Sequence, residues 1–224
     1  MKKAIYLVLV ILFVSNFCFA QEQPLTKYDF GIEGGPNISF MYGKSNTIQY
    51  LTSGIGFQGG VSFQINFNKL LSLRTVLSFE RKIIKGKGEV TFTDANGKVI
   101  GDGTFHDNYD YLVLPILLRA NFGNQVRFFV NAGPYFGYLL QAKYFGNITT
   151  TGQTLTGSID KAQKVDIGLS AGIGISIPIK KQFAISVEAR NNLSLLPVHK
   201  AENGDGSAKF NTTSVLIGFS YGIK

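Results

Sequence analysis

The sequence predicts an all-β fold, an eight-stranded antiparallel transmembrane β-barrel with short periplasmic turns and long extracellular loops. Three observations predict it. The first is strict alternation: from Val165 to Ile179 the chain reads VDIGLSAGIGISIPI, with Val, Ile, Leu or Ala at every odd position and Asp, Gly, Ser or Pro at every even one. A period of two marks a strand with unlike faces, and the segment is longer than the ~9–11 residues that a tilted strand needs to cross a bilayer. The second is how the apolar content is spread. Mean hydropathy is +0.12, yet no segment after residue 20 is continuously apolar over the ~20 residues of a membrane helix. The third is that short and long connections alternate along the chain, as they do in bacterial barrels.

The chain opens with the basic head Met1-Lys2-Lys3, an apolar run from Ala4 to Val14, and Cys18-Phe19-Ala20. Residues 1–20 read as a cleaved secretory signal, leaving residues 21–224 as the barrel domain. Phe17 stands where a lipoprotein signal needs a small residue, so Cys18 is expected to leave with the leader. The mature chain then has no cysteine, which excludes disulfide and thiol chemistry. Loss of Lys2 and Lys3 lowers the formal charge from +8 to +6. The remaining basic residues are scattered, so no nucleic-acid partner is expected.

The strands follow in order. Tyr28 to Phe40 sets Phe30, Ile32 and Ile38 against Asp29, Glu33 and Asn37. Gly54 to Asn68 sets Ile55, Phe57 and Val61 against Gln58, Ser62 and Gln64. Leu71 to Lys82 sets Leu73, Leu77 and Phe79 against Arg74, Ser78 and Glu80. Tyr109 to Phe122 turns Leu112, Leu114, Ile116 and Leu118 outward. Val126 to Lys143, Val165 to Ile179, Phe183 to Leu195 and Thr213 to Lys224 complete an even set of eight. Met41–Ser53, Ile83–Asn108, Tyr144–Lys164 and Leu196–Thr212 are the long connections; Lys69-Leu70, Gly123–Gln125 and Lys180–Gln182 are the short ones. With both termini periplasmic, every long connection lies outside the cell.

The second long loop carries its own hairpin signal. Glu89–Asp94 and Lys98–Ile100 flank Ala95-Asn96-Gly97, and Asn-Gly favours a type I′ turn. Asp94, Asn96 and Gly97 faintly match a calcium loop, but Lys98 and Val99 stand where such a loop requires Asp or Asn and then Gly, so the turn is the better reading.

Aromatic girdles are expected at the two interfaces of the bilayer. Tyr42, Tyr109 and Tyr138 mark the outer one, with Tyr50, Tyr111 and Tyr144 nearby, and Phe67, Phe128 and Phe183 mark the periplasmic one, with Phe122 and Phe219. Parity places Arg74, Glu80, Lys82, Arg119, Arg127, Asp166, Glu188 and Arg190 inside. Eight strands enclose a space just wide enough for side chains to fill, and buried charges persist only when paired. An interior salt-bridge network that blocks the lumen is therefore expected, with no steady conductance. A soluble lipocalin-like barrel would put its greasy face inward and long Lys, Glu and Thr side chains in water. Here the polar face is Gly, Ser, Asn and Gln, which suits a cramped interior.

YLVLPILLRANFG at Tyr111–Gly123 followed by VRFFVNAGPYFGYLLQAK at Val126–Lys143 resembles the paired central strands of the PorT-like outer-membrane β-barrel proteins of Bacteroidota. DIGLSAGIGISIPI and FAISVEARNNLSLL fit the next two strands of that family. The resemblance covers nearly all of residues 28–224, and GPYFGYLL is its most specific part. It implies an outer-membrane location and a small barrel related in shape to the OmpA membrane domain. The founding member is associated with type nine secretion, and the family offers no catalytic motif to map. The carboxyl end departs from the usual terminal aromatic: Gly222-Ile223-Lys224 follow Phe219 and Tyr221.

Three functions compete. A lipid hydrolase or acyltransferase would use a His-based group, and His106 beside Asp107 and Asp110, or His199 next to Lys200, is all the chain offers; no serine lies near His106 in sequence, and no enzyme is expected. Solute transport or ligand binding in the lumen is disfavoured by the charged, narrow interior. A structural or interaction protein, seated in outer-membrane lipid and displaying its loops to a protein partner, is favoured. No phosphate loop or metal cluster appears, so no cofactor and no metal are expected.

Overall fold

The computed structural model describes residues 26–94, 96–123, 126–179, 182–199 and 207–223. Among these residues ten strands form: β1 (Tyr28–Gly43), β2 (Leu51–Asn66), β3 (Leu71–Gly86), β4 (Val90–Thr93), β5 (Val99–Phe122), β6 (Arg127–Ile148), β7 (Thr154–Ser158), β8 (Val165–Pro178), β9 (Phe183–Ser194) and β10 (Ala208–Ile223). A short 3₁₀ turn, Asn46–Tyr50, precedes β2. Eight of the strands close a ring in the order β1-β2-β3-β5-β6-β8-β9-β10, and every neighbouring pair is antiparallel. Closure leaves no strand edge inside the bilayer, where unpaired backbone groups would find no water.

The alternation sorts the side chains as parity requires. Ile32, Ile55, Ile173 and Ile217 are 62%, 67%, 64% and 65% exposed, while Ser72, Glu80 and Lys82 are fully buried. This inverts a soluble protein, and a continuous exposed apolar band of this kind belongs against lipid.

Strands β4 and β7 pair only with β5 and β6 respectively, outside the ring. Since β5 and β6 stay paired from Gly103↔Ile148 down to Phe122↔Phe128, the four strands make a sheet standing on the extracellular side. The strands run further at their outer ends than expected, by three to five residues in β1, β2, β3 and β10 and most of all where the extra sheet forms. β5 begins at Val99 rather than Tyr109, β6 runs to Ile148 rather than Lys143, and β7 occupies part of what reads as a loop. Beyond the bilayer both faces meet water, so hydrogen bonding continues while the apolar alternation that signals it disappears. The β4–β5 connection is also longer than a two-residue type I′ turn. Asp94 N–H donates to the Lys98 carbonyl, Gly97 N–H donates to the Asp94 carbonyl, and Gly97 takes φ +80°. The Asp94 carboxylate accepts from the backbone N–H groups of Asn96 and Lys98, which assigns it to the turn.

Candidate functional site

Strand periodicity aims one charged side chain after another into the lumen. Counted from the periplasmic end of each strand, Arg74 (β3) and Arg119 (β5) stand three residues in, Glu33 (β1) and Glu188 (β9) five, Arg190 (β9) seven and Glu80 (β3) nine. Lys82 and Asp166 stand eleven and twelve residues in, on β3 and β8. Five of the lower six positions, all but Glu80, are stitched together. Glu33 receives Arg74 Nη2 at 2.6 Å and Arg190 Nη1 at 2.7 Å; Glu188 receives Arg190 Nε at 2.6 Å, Arg119 Nη2 at 3.1 Å and the Asn131 amide at 3.1 Å. Arg190 is thus the central cation, bridging Glu188 on its own strand and Glu33 on β1, two strands further round the ring. A guanidinium suits that place because its planar fork donates in several directions at once. Neither Glu80 oxygen has a hydrogen-bond partner among the described residues.

The upper pair is separate. Lys82 Nζ lies 3.0 Å from Asp166 Oδ2, which also accepts from the hydroxyls of Tyr135 and Ser194. The ammonium sits 4.7 and 4.9 Å from the ring centres of Tyr111 and Phe210, a cation–π arrangement that offsets part of its desolvation. Above it the lumen turns apolar: Met41, Ile84, Tyr109, Leu139 and Phe210 pack together with Val198, and Ile48, Ile159 and Ala162 from the extracellular connections close over them.

Two of these residues escape the sequence reading of the interior charges. Glu33 shares the inward parity of Asn37 on β1, so the signal was present in the alternation. Tyr109 is a correction: it is 1% exposed and lies in the lumen, its ring edge-on to Phe210, not in the outer girdle. Leu112, Leu114, Ile116 and Leu118 face lipid, so parity sends the odd-numbered residues of β5 inward, Tyr109 and Tyr111 with them. The other girdle candidates point outward or stand at the rim. Phe67, Phe128, Tyr138 and Phe183 are exposed, with Phe183 packed on Phe219 and Tyr221. Tyr42 is half-buried and donates its hydroxyl to the Ser194 carbonyl. Arg127 opens β6 at the periplasmic mouth, half-buried, below the stitched cluster.

The extracellular carboxylates do not assemble around a histidine. His106 and Asp107 are consecutive in β5 and so point to opposite faces. The His106 ring stacks on Phe145 at 5.0 Å, and both Asp110 oxygens are taken by Arg81 at 2.6 and 2.7 Å. His199 Nε2 lies 3.4 Å from the Tyr109 hydroxyl. Burial pushes the Asp107 carboxyl up to about 6, and burial and then the Lys85 charge hold His106 below its usual value.

A closed eight-stranded ring with lipid-facing isoleucines outside and ion pairs within defines an integral barrel of the bacterial outer membrane. The chain belongs to the outer membrane protein beta-barrel domain family, whose model matches residues 19–200. No curated protein matches it in sequence. Among solved structures it is similar to the outer membrane protein OprG of Pseudomonas aeruginosa (13% identity, 90% of this chain and 98% of that one, TM-score 0.48). It is also similar to Neisserial surface protein A (13%, 87% and 97%, 0.42) and to Ail, the attachment invasion locus protein of Yersinia pestis, in complex with a heparin analogue (13%, 87% and 99%, 0.40).

Proposed function

We propose that this barrel is a non-conducting scaffold of the outer membrane, one that presents its extracellular sheet and loops to a protein partner. The observation that carries the reading is the filling of the lumen. The chain of pairs Arg74–Glu33–Arg190–Glu188–Arg119 joins β3, β1, β9 and β5 across it, and the apolar layer around Phe210 and Val198 lies above. A path for solute would have to separate ion pairs that are costly to break when buried. What remains available to a partner is the four-stranded sheet β4-β5-β6-β7, whose outer strands each carry one unpaired edge among the described residues. Edge strands are templates for an added strand. The resemblance to PorT-like proteins makes secretion or envelope assembly the process to test first.

Purified protein in planar bilayers should give no steady unitary conductance; reproducible open-channel steps would overturn the plug. Single cysteines at Asn96, Thr151 and Gly204, the last outside the described residues, should crosslink in cells to one defined envelope protein. Absence of any partner from all three positions would reject the display role.

A further inference from the structure

We propose that the periplasmic end of the lumen is a blind binding site for a small organic anion, one carrying a carboxylate or a phosphate. A cavity of about 730 Å³ opens there, within the roughly 300–1,000 Å³ of ordinary small-molecule sites. Its position is independent of anything the extracellular loops bind.

The order of the charges makes the cavity cationic. Among the described residues eight buried lumen ions balance, with Arg74, Lys82, Arg119 and Arg190 against Glu33, Glu80, Asp166 and Glu188, but they are not evenly layered. The two lowest are both arginines, and both line the cavity; the compensating carboxylates of Glu33 and Glu188 lie behind them, and Glu80 is further still. Arg74 and Arg119 are each 5% exposed, and each gives one nitrogen to a carboxylate, Arg74 to Glu33 and Arg119 to Glu188. The Nε of each has no hydrogen-bond partner among the described residues. Arg119 is held in place with its guanidinium 3.8 Å from the centre of the Phe129 ring.

Arg127 and Lys69 add positive charge to the wall and rim. The opposing carboxylate, Asp29, already accepts from Thr26 Oγ1 at 2.7 Å, Gln64 Nε2 at 3.3 Å and Asn66 Nδ2 at 2.7 Å. Those donors hold its charge on one side of the mouth. A low-dielectric wall with fixed cations on its floor focuses the field on an entering anion, and charge-assisted bonds from guanidinium to carboxylate or phosphate are the strong kind. The stitched cluster and the apolar layer close the far end, so the ligand enters and leaves from the periplasm.

Calorimetric titration of the refolded full-length barrel in non-ionic detergent at low ionic strength tests this, with citrate, inorganic phosphate and neutral glucose as probes. The expected result is saturable one-site binding of citrate or phosphate and none of glucose. Affinity should fall at least tenfold in the Lys69→Gln, Arg127→Gln double variant, which leaves the buried arginines intact, and further in Arg119→Gln. Retained heat-modifiable migration on gels shows that each variant is folded. No saturable binding of either anion by the parent protein would overturn the proposal. So would binding that is unchanged in both folded variants, which would mark the anion as adventitious.

Discussion

Arg190→Met removes the cation that joins the two sides of the lower cluster. Its side chain is 2% exposed and reaches Glu33 at 2.7 Å and Glu188 at 2.6 Å, so both carboxylates lose a partner that water cannot replace. Breaking a buried pair by deleting one member costs about 3–5 kcal/mol. The lower end of that range is expected here, about 3 kcal/mol, because Arg74 still holds Glu33 and Arg119 still holds Glu188. The chain has no tryptophan, so unfolding in urea is best followed by the gel-mobility difference between folded and unfolded barrel. Glu188→Gln in the same chain removes one of the stranded charges. The double variant should therefore be more stable than the sum of the single effects predicts, by about 1 kcal/mol or more. A cost below about 1 kcal/mol for Arg190→Met, or strictly additive effects in the cycle, would refute the view that these ions act as one network.

Ile173→Arg places a charge at a lipid-facing position that is 64% exposed and should destabilise the barrel by about 2–4 kcal/mol; Ile173→Leu should be neutral, and equal effects in the same urea assay would mean the faces are wrongly assigned. The neighbouring Gly172 faces inward, where a Cβ would lie 2.6 Å from Glu188 Oε1 and 2.7 Å from Asn131 Oδ1. Gly172→Ser should cost about 1–3 kcal/mol by overpacking, and a neutral result would show that the cluster yields freely. Asp107 supplies a pH signature. Burial raises its folded pKa to about 6 from an ordinary 3.8, so the folded state binds the proton more tightly than the unfolded state does. Its contribution is most favourable below pH 4 and declines as pH rises through 6. Hydrogen exchange near Asp107, corrected for intrinsic rates, should speed up across that window, and Asp107→Asn should abolish the change; a pH dependence that survives the substitution would assign it elsewhere.

How much of this was legible in the sequence depended on whether lipid was present to enforce a pattern. Inside the bilayer a strand must be apolar on one face, so ring order, strand count and the inward aim of Arg74, Arg119 and Arg190 can all be read from parity. The same parity carried Glu33, Tyr109 and Tyr111. Tyrosine at an outer strand end suggested a girdle, but the face a residue occupies is decided by its position relative to Leu112 and not by its type. Above the bilayer the constraint lapses. The upper half of β5 and the whole of β7 are paired strands with polar, mixed sequences such as TLTGS, which parity cannot distinguish from loop. Pairing partners across the lumen were not legible at all: nothing local links residue 33 to residue 190, and their meeting follows only once the ring closes.

The two ends of the lumen differ in a way that bears on what the barrel does. Toward the cell exterior it is closed by side chains that make no polar demand, Met41, Leu139, Val198 and Phe210, and toward the periplasm it is left polar around Arg74 and Arg119. A barrel that served only as a membrane staple would be expected to fill both ends with apolar packing, because buried ions add little net stability over a well-packed apolar core. Retaining eight ions in layers fixes which strands can meet, and it also sets two arginines at the floor of one mouth. The first effect suits a rigid platform under the β4–β7 sheet; the second gives the periplasmic face a chemistry of its own. Reversing the charge at the mouth while leaving the stitched cluster intact, with Lys69→Glu and Arg127→Glu together, separates the two. If register alone matters the variant barrel folds and keeps both faces' activities. If the mouth is a site, it folds and keeps only the extracellular one.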